Sequence, residues 1–141
     1  MTLVKNNFVE KIVLGTAQFG TDYGIANMSG KPETKKAYEI LEFAWDAGIK
    51  RFDTAPSYGS EALLGDFART NGIQDKIKFI TKIPPIKKNF HYDLFIKEEV
   101  ENSLKNLGAP IDVLFFHNSK DAILLEEDPK FFKKLQKNNP I

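Results

Sequence analysis

The feature that most constrains this chain is a fourfold alternation between short β-rich apolar runs and stretches of helical periodicity. Residues 11–14, 49–52, 77–80 and 113–116 read as strands, each a short apolar run closed by polar or turn-forming residues. Four helices are predicted to follow them in turn. Residues 33–47 place Ala37, Ile40, Leu41 and Ala44 at helical spacing, and 61–70 carry Leu63, Leu64 and Phe67. Residues 93–107 line up Ile96, Val100, Leu104 and Leu107, and 129–137 show Phe132 and Leu135. The punctuation agrees: Pro32 and Pro129 stand near helix starts, Gly48, Asn71-Gly72 and Gly108 follow helix ends, and Pro84-Pro85 closes the third strand. Consecutive parallel strands need a crossover, which an intervening helix supplies, so the class is α/β, built of four parallel βα units. The mostly apolar strands predict a sheet covered on both faces. The glycine-rich stretch 15–30 predicts a long loop. No boundary, repeat or low-complexity tract interrupts residues 1–141, which read as a single domain. Periodicity does not separate an open doubly wound sheet from part of an eight-stranded barrel, because both repeat the same unit.

Several chemistries are excluded next. With 20 Lys and Arg against 19 Asp and Glu, the formal net charge is +1, so no long-range field selects nucleic acid or an anionic membrane as partner. The chain has no cysteine, which removes disulfides, thiolate nucleophiles and thiolate-bound metal and fits a reducing compartment; a cytoplasmic location is expected. Residues 1–10 hold too short an apolar run for a signal sequence, no stretch reaches membrane-spanning length, and the Asn27-Met28-Ser29 sequon reads as chance. Gly15 and Gly20 have the glycine spacing of a phosphate-binding P-loop, but Thr21-Asp22 stand where Lys and Ser/Thr are required. Ala17 occupies the second glycine position of a dinucleotide turn. His91 and His117 are too sparse for a metal centre, and none is expected. Asp112, Glu126 and Glu127 read as solvated surface rather than as a glycosidase pair, and no GxSxG elbow occurs.

What survives is a set of residues at or just past the strand ends: Asp53, Tyr58, Lys82 and His117. In parallel α/β folds these ends face one side, so residues distant in sequence converge there. A Tyr beside a Lys is a candidate general acid, because the cation stabilises the phenolate left behind. Asp53 could hold that Lys, and a neutral His117 could donate a hydrogen bond to a substrate oxygen. Each has a structural reading when taken alone: Asp53 as a turn cap, Tyr58 as a rim residue, Lys82 as a surface charge, His117 as a turn residue. Glu61 is expected to support the first turn of its helix through the dipole, and His91 to lie in a surface loop. Trp45, Phe115-Phe116 and Phe131-Phe132 are expected in the core.

The surrounding motifs resemble the aldo-keto reductase superfamily. They are Leu14-Gly15-Thr16-Ala17, Gly48-Ile49-Lys50-Arg51-Phe52-Asp53-Thr54-Ala55 with Tyr58-Gly59, and Ser60-Glu61-Ala62-Leu63-Leu64-Gly65. Further along come Phe79-Ile80-Thr81-Lys82-Ile83, the helical segment 100–107, and Ile111-Asp112-Val113-Leu114-Phe115-Phe116-His117. The resemblance implies the N-terminal half of a (β/α)8 TIM barrel and reduction of an aldehyde or ketone to an alcohol with NADPH, or less often NADH. It assigns Tyr58 as general acid, Lys82 as the residue that tunes it, Asp53 as partner of Lys82, and His117 as the carbonyl-orienting group. Gly15 and Thr16 match the turn beside the nicotinamide, with Asp53 also in the cofactor-binding set. The implied partner is a small-molecule carbonyl compound.

A barrel of this type takes about 250 residues, and this chain supplies four of its eight units. Strands five to eight, whose loops supply most of the family's grip on the cofactor, are not in the sequence. The expected consequences are unpaired edges on the first and fourth strands, weak NADPH binding by the isolated chain, and pairing with a second copy or a complementing C-terminal half. The alternative is a truncated, non-catalytic half-barrel that acts by association or is a degenerate gene product.

Overall fold

The computed structural model describes residues 8–22, 24–25, 28–87 and 91–141. Asn27 of the sequon and residues 1–7 of the N-terminal stretch lie outside the described residues. Four strands, β1 (Val13–Gly15), β2 (Arg51–Asp53), β3 (Lys78–Ile83) and β4 (Ile111–Phe116), form one parallel sheet in the order β1-β2-β3-β4. The helices are α1 (Ala17–Gly20), α2 (Thr34–Asp46), α3 (Glu61–Thr70), α4 (Tyr92–Leu107), α5 (Leu124–Glu127) and α6 (Pro129–Asn138). This order settles the alternative that periodicity left open. A doubly wound sheet reverses its strand order at a switch point, whereas a barrel adds each strand beside the last.

The local signals act where they were read. Residue Gly108 ends α4 at φ 62°, and its N–H donates to the Leu104 carbonyl at 2.9 Å, the left-handed stop that a glycine adopts without steric cost. Helix α6 starts with Pro129 in its first turn and with Asp128, whose side chain accepts from the Phe131 N–H. Strand β3 runs to Ile83, beyond the apolar run that marked it, because Lys82 and Ile83 pair with Phe115 and Phe116 of β4. Stretch 15–30 is not wholly loop, since Ala17–Gly20 close the helical turn α1. Among the described residues no helix is long and apolar enough to cross a membrane.

Register sorts the strand residues onto two faces. Leu14, Phe52, Phe79, Thr81, Ile83 and Leu114 share one side of the sheet, and Val13, Asp53, Lys82, Val113 and Phe115 share the other. Phe52 and Phe79, from the first side, join Leu41 of α2, Leu64 and Phe67 of α3 and Leu107 of α4 in the main core, with Leu14 packed against it. A second cluster joins Ile83 to Ile96 and Val100 of α4 and Leu135 of α6, with Phe116, Phe131 and Phe132 packed against it. The second side corrects the expectation of a sheet covered on both faces: Val13 is 41 %, Val113 37 % and Phe115 50 % exposed. Successive right-handed crossovers without a reversal put every helix on the same side, so this chain leaves the other open. Phe115, expected in the core, therefore stands on the open face, whereas Phe116 packs beneath the helices.

Phe52 has no exposed surface and sits centrally in the main core. Phe52→Ala is expected to lower the unfolding free energy by about 3–5 kcal/mol, read from the denaturant midpoint at unchanged slope. A loss below about 1 kcal/mol would show that the site collapses around the cavity and that the core is not packed as described.

Candidate active site

Strand register brings the sequence-predicted residues together. Asp53 ends β2, and Lys82 lies near the end of β3 on the same open face. The Lys82 ammonium donates to Asp53 Oδ1 at 2.6 Å and to the Thr54 carbonyl at 2.8 Å. Both side chains are largely shielded, at 16 % and 28 % exposure, so the pair is partly desolvated and its geometry is held from two sides. Tyr58 lies in a single 3-10 turn, Pro56–Tyr58, just past β2. Its ring centroid is 4.8 Å from Lys82 Nζ, a cation–π distance. His117 follows β4, where its N–H extends the β3–β4 pairing by donating to the Ile83 carbonyl at 2.9 Å. Its imidazole meets the Tyr58 ring edge-on, with centroids 6.0 Å apart. One ion pair and two aromatic contacts thus connect all four residues.

The cofactor-binding candidates are arranged differently from one another. Gly15 is exposed at the end of β1, and among the described residues a methyl group placed on it would meet no atom within 4 Å. Register places it beside Asp53, so the floor there is flat and open. Thr16 is fully buried instead, and its hydroxyl donates to the Asp53 carbonyl at 2.8 Å. It supports the site from behind the sheet.

Two features escaped the sequence reading. Gly20 entered it only as a glycine of a failed P-loop, yet a methyl group there would fall on the Tyr58 carbonyl. The contact lets α1 seat directly against the turn that carries the tyrosine. Glu61, expected only to serve the helix dipole, lies in the first turn of α3 but is also buried, accepting from the Thr81 hydroxyl at 2.8 Å and from the Asn106 amide at 3.3 Å. Elsewhere, Asp112 is exposed and paired with Lys78 at 3.2 Å, and His91 is exposed at the start of α4. Trp45 packs against the main core, with Lys50 Nζ 3.4 Å from its ring centroid.

Comparison with known proteins identifies the family and the fold. A family model described as "Aldo/keto reductase family" matches residues 11–138. Aldo-keto reductase YhdN of Bacillus subtilis (strain 168) is 35 % identical over 136 residues, covering 89 % of this chain and 39 % of that protein. D-threo-aldose 1-dehydrogenase of a Pseudomonas species is 46 % identical over 54 residues, 34 % of this chain and 16 % of that protein. Among solved structures, PA4992 of Pseudomonas aeruginosa superposes with a TM-score of 0.70 at 29 % identity, covering 89 % of this chain and 51 % of that one. The thermostable aldo-keto reductase Tm1743 shares the fold with a TM-score of 0.63, over 86 % of this chain and 43 % of that one. The chain thus spans about half or less of the length of these proteins. On the extent of the family match and the agreement of the fold, it belongs to the aldo-keto reductase family.

Proposed function

We propose that this chain carries the proton-donating half of an NAD(P)H-dependent reductase of aldehydes and ketones. The observation that carries the reading is the Lys82 ammonium, held by Asp53 at 2.6 Å and set 4.8 Å from the Tyr58 ring. Reduction of a carbonyl puts negative charge on its oxygen, and the rate depends on a proton arriving as that charge develops. The Tyr58 hydroxyl is the donor, and the phenolate left behind is stabilised by the neighbouring ammonium. Asp53 and the Thr54 carbonyl keep that ammonium in place. His117 contributes a hydrogen bond from its imidazole, orienting the substrate oxygen toward Tyr58. A bound nicotinamide would supply the hydride. The open position at Gly15 beside Asp53 supports a place for a flat ring there.

A second reading concerns what completes the site. Val13, Val113 and Phe115 are exposed on the same face as the ion pair, and residues 139–141 already reach the free edge of β4, where the Ile111 N–H donates to the Pro140 carbonyl at 2.9 Å. An open apolar sheet face with a free strand edge favours association. The chain alone is therefore expected to bind NADPH more weakly than about micromolar, and to gain affinity and turnover when strands five to eight are supplied as a separate polypeptide. Nicotinamide oxidation with a simple aldehyde, followed for the chain alone and for the mixture, tests both readings. Tight NADPH binding by a monomer would overturn the second. A mixture that binds NADPH yet reduces no aldehyde or ketone would overturn the first.

A further inference from the structure

Three of the four strand ends that bear the site carry a threonine, and all three hydroxyls are buried. Thr16 follows Gly15, Thr54 follows Asp53 and Thr81 precedes Lys82, and all three are fully buried. Thr81 alternates with Lys82 along β3 and so points into the helix layer behind it, whereas Thr16 and Thr54 lie one residue past the ends of β1 and β2, where their burial and hydrogen bonds place them. Valine has nearly the same shape and would fill these places without a hydroxyl to satisfy, and a buried hydroxyl is costly unless it is bonded. All three are bonded, and all three converge on the first two residues at the start of α3, Ser60 and Glu61. Ser60 Oγ lies 2.9 Å from Thr16 Oγ1 and 2.8 Å from Thr54 Oγ1, and Thr81 donates to Glu61 Oε1 at 2.8 Å.

The proton order in this chain is determined. A hydroxyl has a single hydrogen, and that of Thr16 goes to the Asp53 carbonyl. Ser60 must then donate to Thr16, and Thr54 must donate to Ser60. The result is a one-way relay, Thr54 to Ser60 to Thr16, ending on the backbone of Asp53, whose carboxylate holds Lys82. Thr54 is also the residue whose carbonyl accepts the second Lys82 hydrogen bond. Glu61 anchors the other partner, since Thr81 adjoins Lys82, and the second carboxylate oxygen accepts from Asn106 of α4.

We infer that Ser60 and Glu61 are positioning residues that lock the Asp53–Lys82 pair from behind the sheet, Ser60 through the two acceptors of Lys82 and Glu61 through the strand that carries it. The assignment rests on the reductase reading for its functional meaning, but its test does not require turnover. Hydrogen bonds in a buried layer reinforce one another and define one geometry, which apolar packing at the same positions would leave looser.

The test is competitive trace acetylation of the intact 141-residue chain with acetic anhydride, read lysine by lysine by peptide mass. Lys36 on α2, which is exposed and remote from the network, serves as internal reference. An ammonium held by two acceptors reacts slowly, and Asp53→Asn shows how far the rate rises when the main acceptor is weakened. Thr81→Val and Ser60→Ala are each expected to raise Lys82 labelling about fivefold relative to Lys36, the loss of one net hydrogen bond, and Thr81→Ser to keep the wild-type rate. Ser60→Ala, which removes one atom and no charge, carries the test if Thr81→Val does not fold. Unchanged Lys82 labelling in a folded variant would overturn the inference, as would Lys36 and Lys82 rising in step or failure of Thr81→Ser to restore the rate. A mixture with strands five to eight that binds NADPH yet shows no turnover would count against the reductase reading and leave this measurement standing.

Discussion

Tyr58→Phe is expected to lower carbonyl reduction by about three orders of magnitude, in whichever form turns over, the chain alone or the completed barrel. The substitution removes one oxygen and leaves the ring that meets Lys82 and His117 in place, so the fold and the aromatic contacts should persist. A thousandfold loss corresponds to about 4 kcal/mol of barrier, within the range expected for a positioned general acid. The effect should fall on kcat with KM little changed, because the proton is transferred only as the alkoxide develops. Water cannot readily replace the phenol, since no covalent bond fixes its position toward the substrate oxygen. A variant retaining more than about a third of wild-type kcat would remove Tyr58 from the reaction, and with it the reading of the strand-end set as a reductase site. Identical circular dichroism and thermal midpoint in the two proteins would establish that any loss is chemical.

Gly65→Ala is expected to lower stability, with a sign opposite to helix propensity. Gly65 is within α3, where Ala is intrinsically better by about 1 kcal/mol. Propensity alone predicts a stabilised protein. In the folded chain, however, a methyl group at this position would fall on the Asn106 carbonyl oxygen and lie 2.9 Å from that of Leu107. Both are backbone atoms near the end of α4, so the contact cannot be relieved by turning a side chain. Helices α3 and α4 would have to separate, opening the core at Leu64, Phe67 and Leu107 and stretching the Asn106–Glu61 hydrogen bond. Overpacking costs of about 1–3 kcal/mol, often more against rigid backbone, exceed the propensity gain. A net loss of about 2 kcal/mol or more is therefore expected in denaturant unfolding. A variant as stable as wild type would show that the helices do not approach as closely as described.

The case of Gly65 shows where sequence reading reaches and where it stops. Helix α3 was legible to the residue, because apolar spacing and the Asn71-Gly72 stop act within one or two turns. The candidate residues Asp53, Tyr58, Lys82 and His117 were legible because strand ends can be located and parallel strands present their ends to one side. The turn α1 was hidden in a glycine-rich stretch, since its seating depends on Gly20 approaching the Tyr58 carbonyl. The exposure of Phe115 was hidden as well. Its apolar neighbours on β4 look alike in sequence, and only the sidedness of the crossovers separates the covered face from the open one. Glu61 read as a helix-dipole residue because its partners Thr81 and Asn106 are 20 and 45 positions away.

By itself, then, the sequence determined the βα rhythm, the limits of the four long helices to within one residue, and which chemically capable side chains stand at the strand ends. These follow from forces that act within a few residues: backbone preference, side-chain period, and the turn chemistry of Gly and Pro. Only the tertiary structure decided that the strands add in simple order and leave one face bare, that Lys82 is held by Asp53 and Thr54, and that three threonine hydroxyls converge on Ser60 and Glu61. Those outcomes depend on strand register and on burial, which set the partner of each polar group across tens of residues and make an unpaired one too costly to leave.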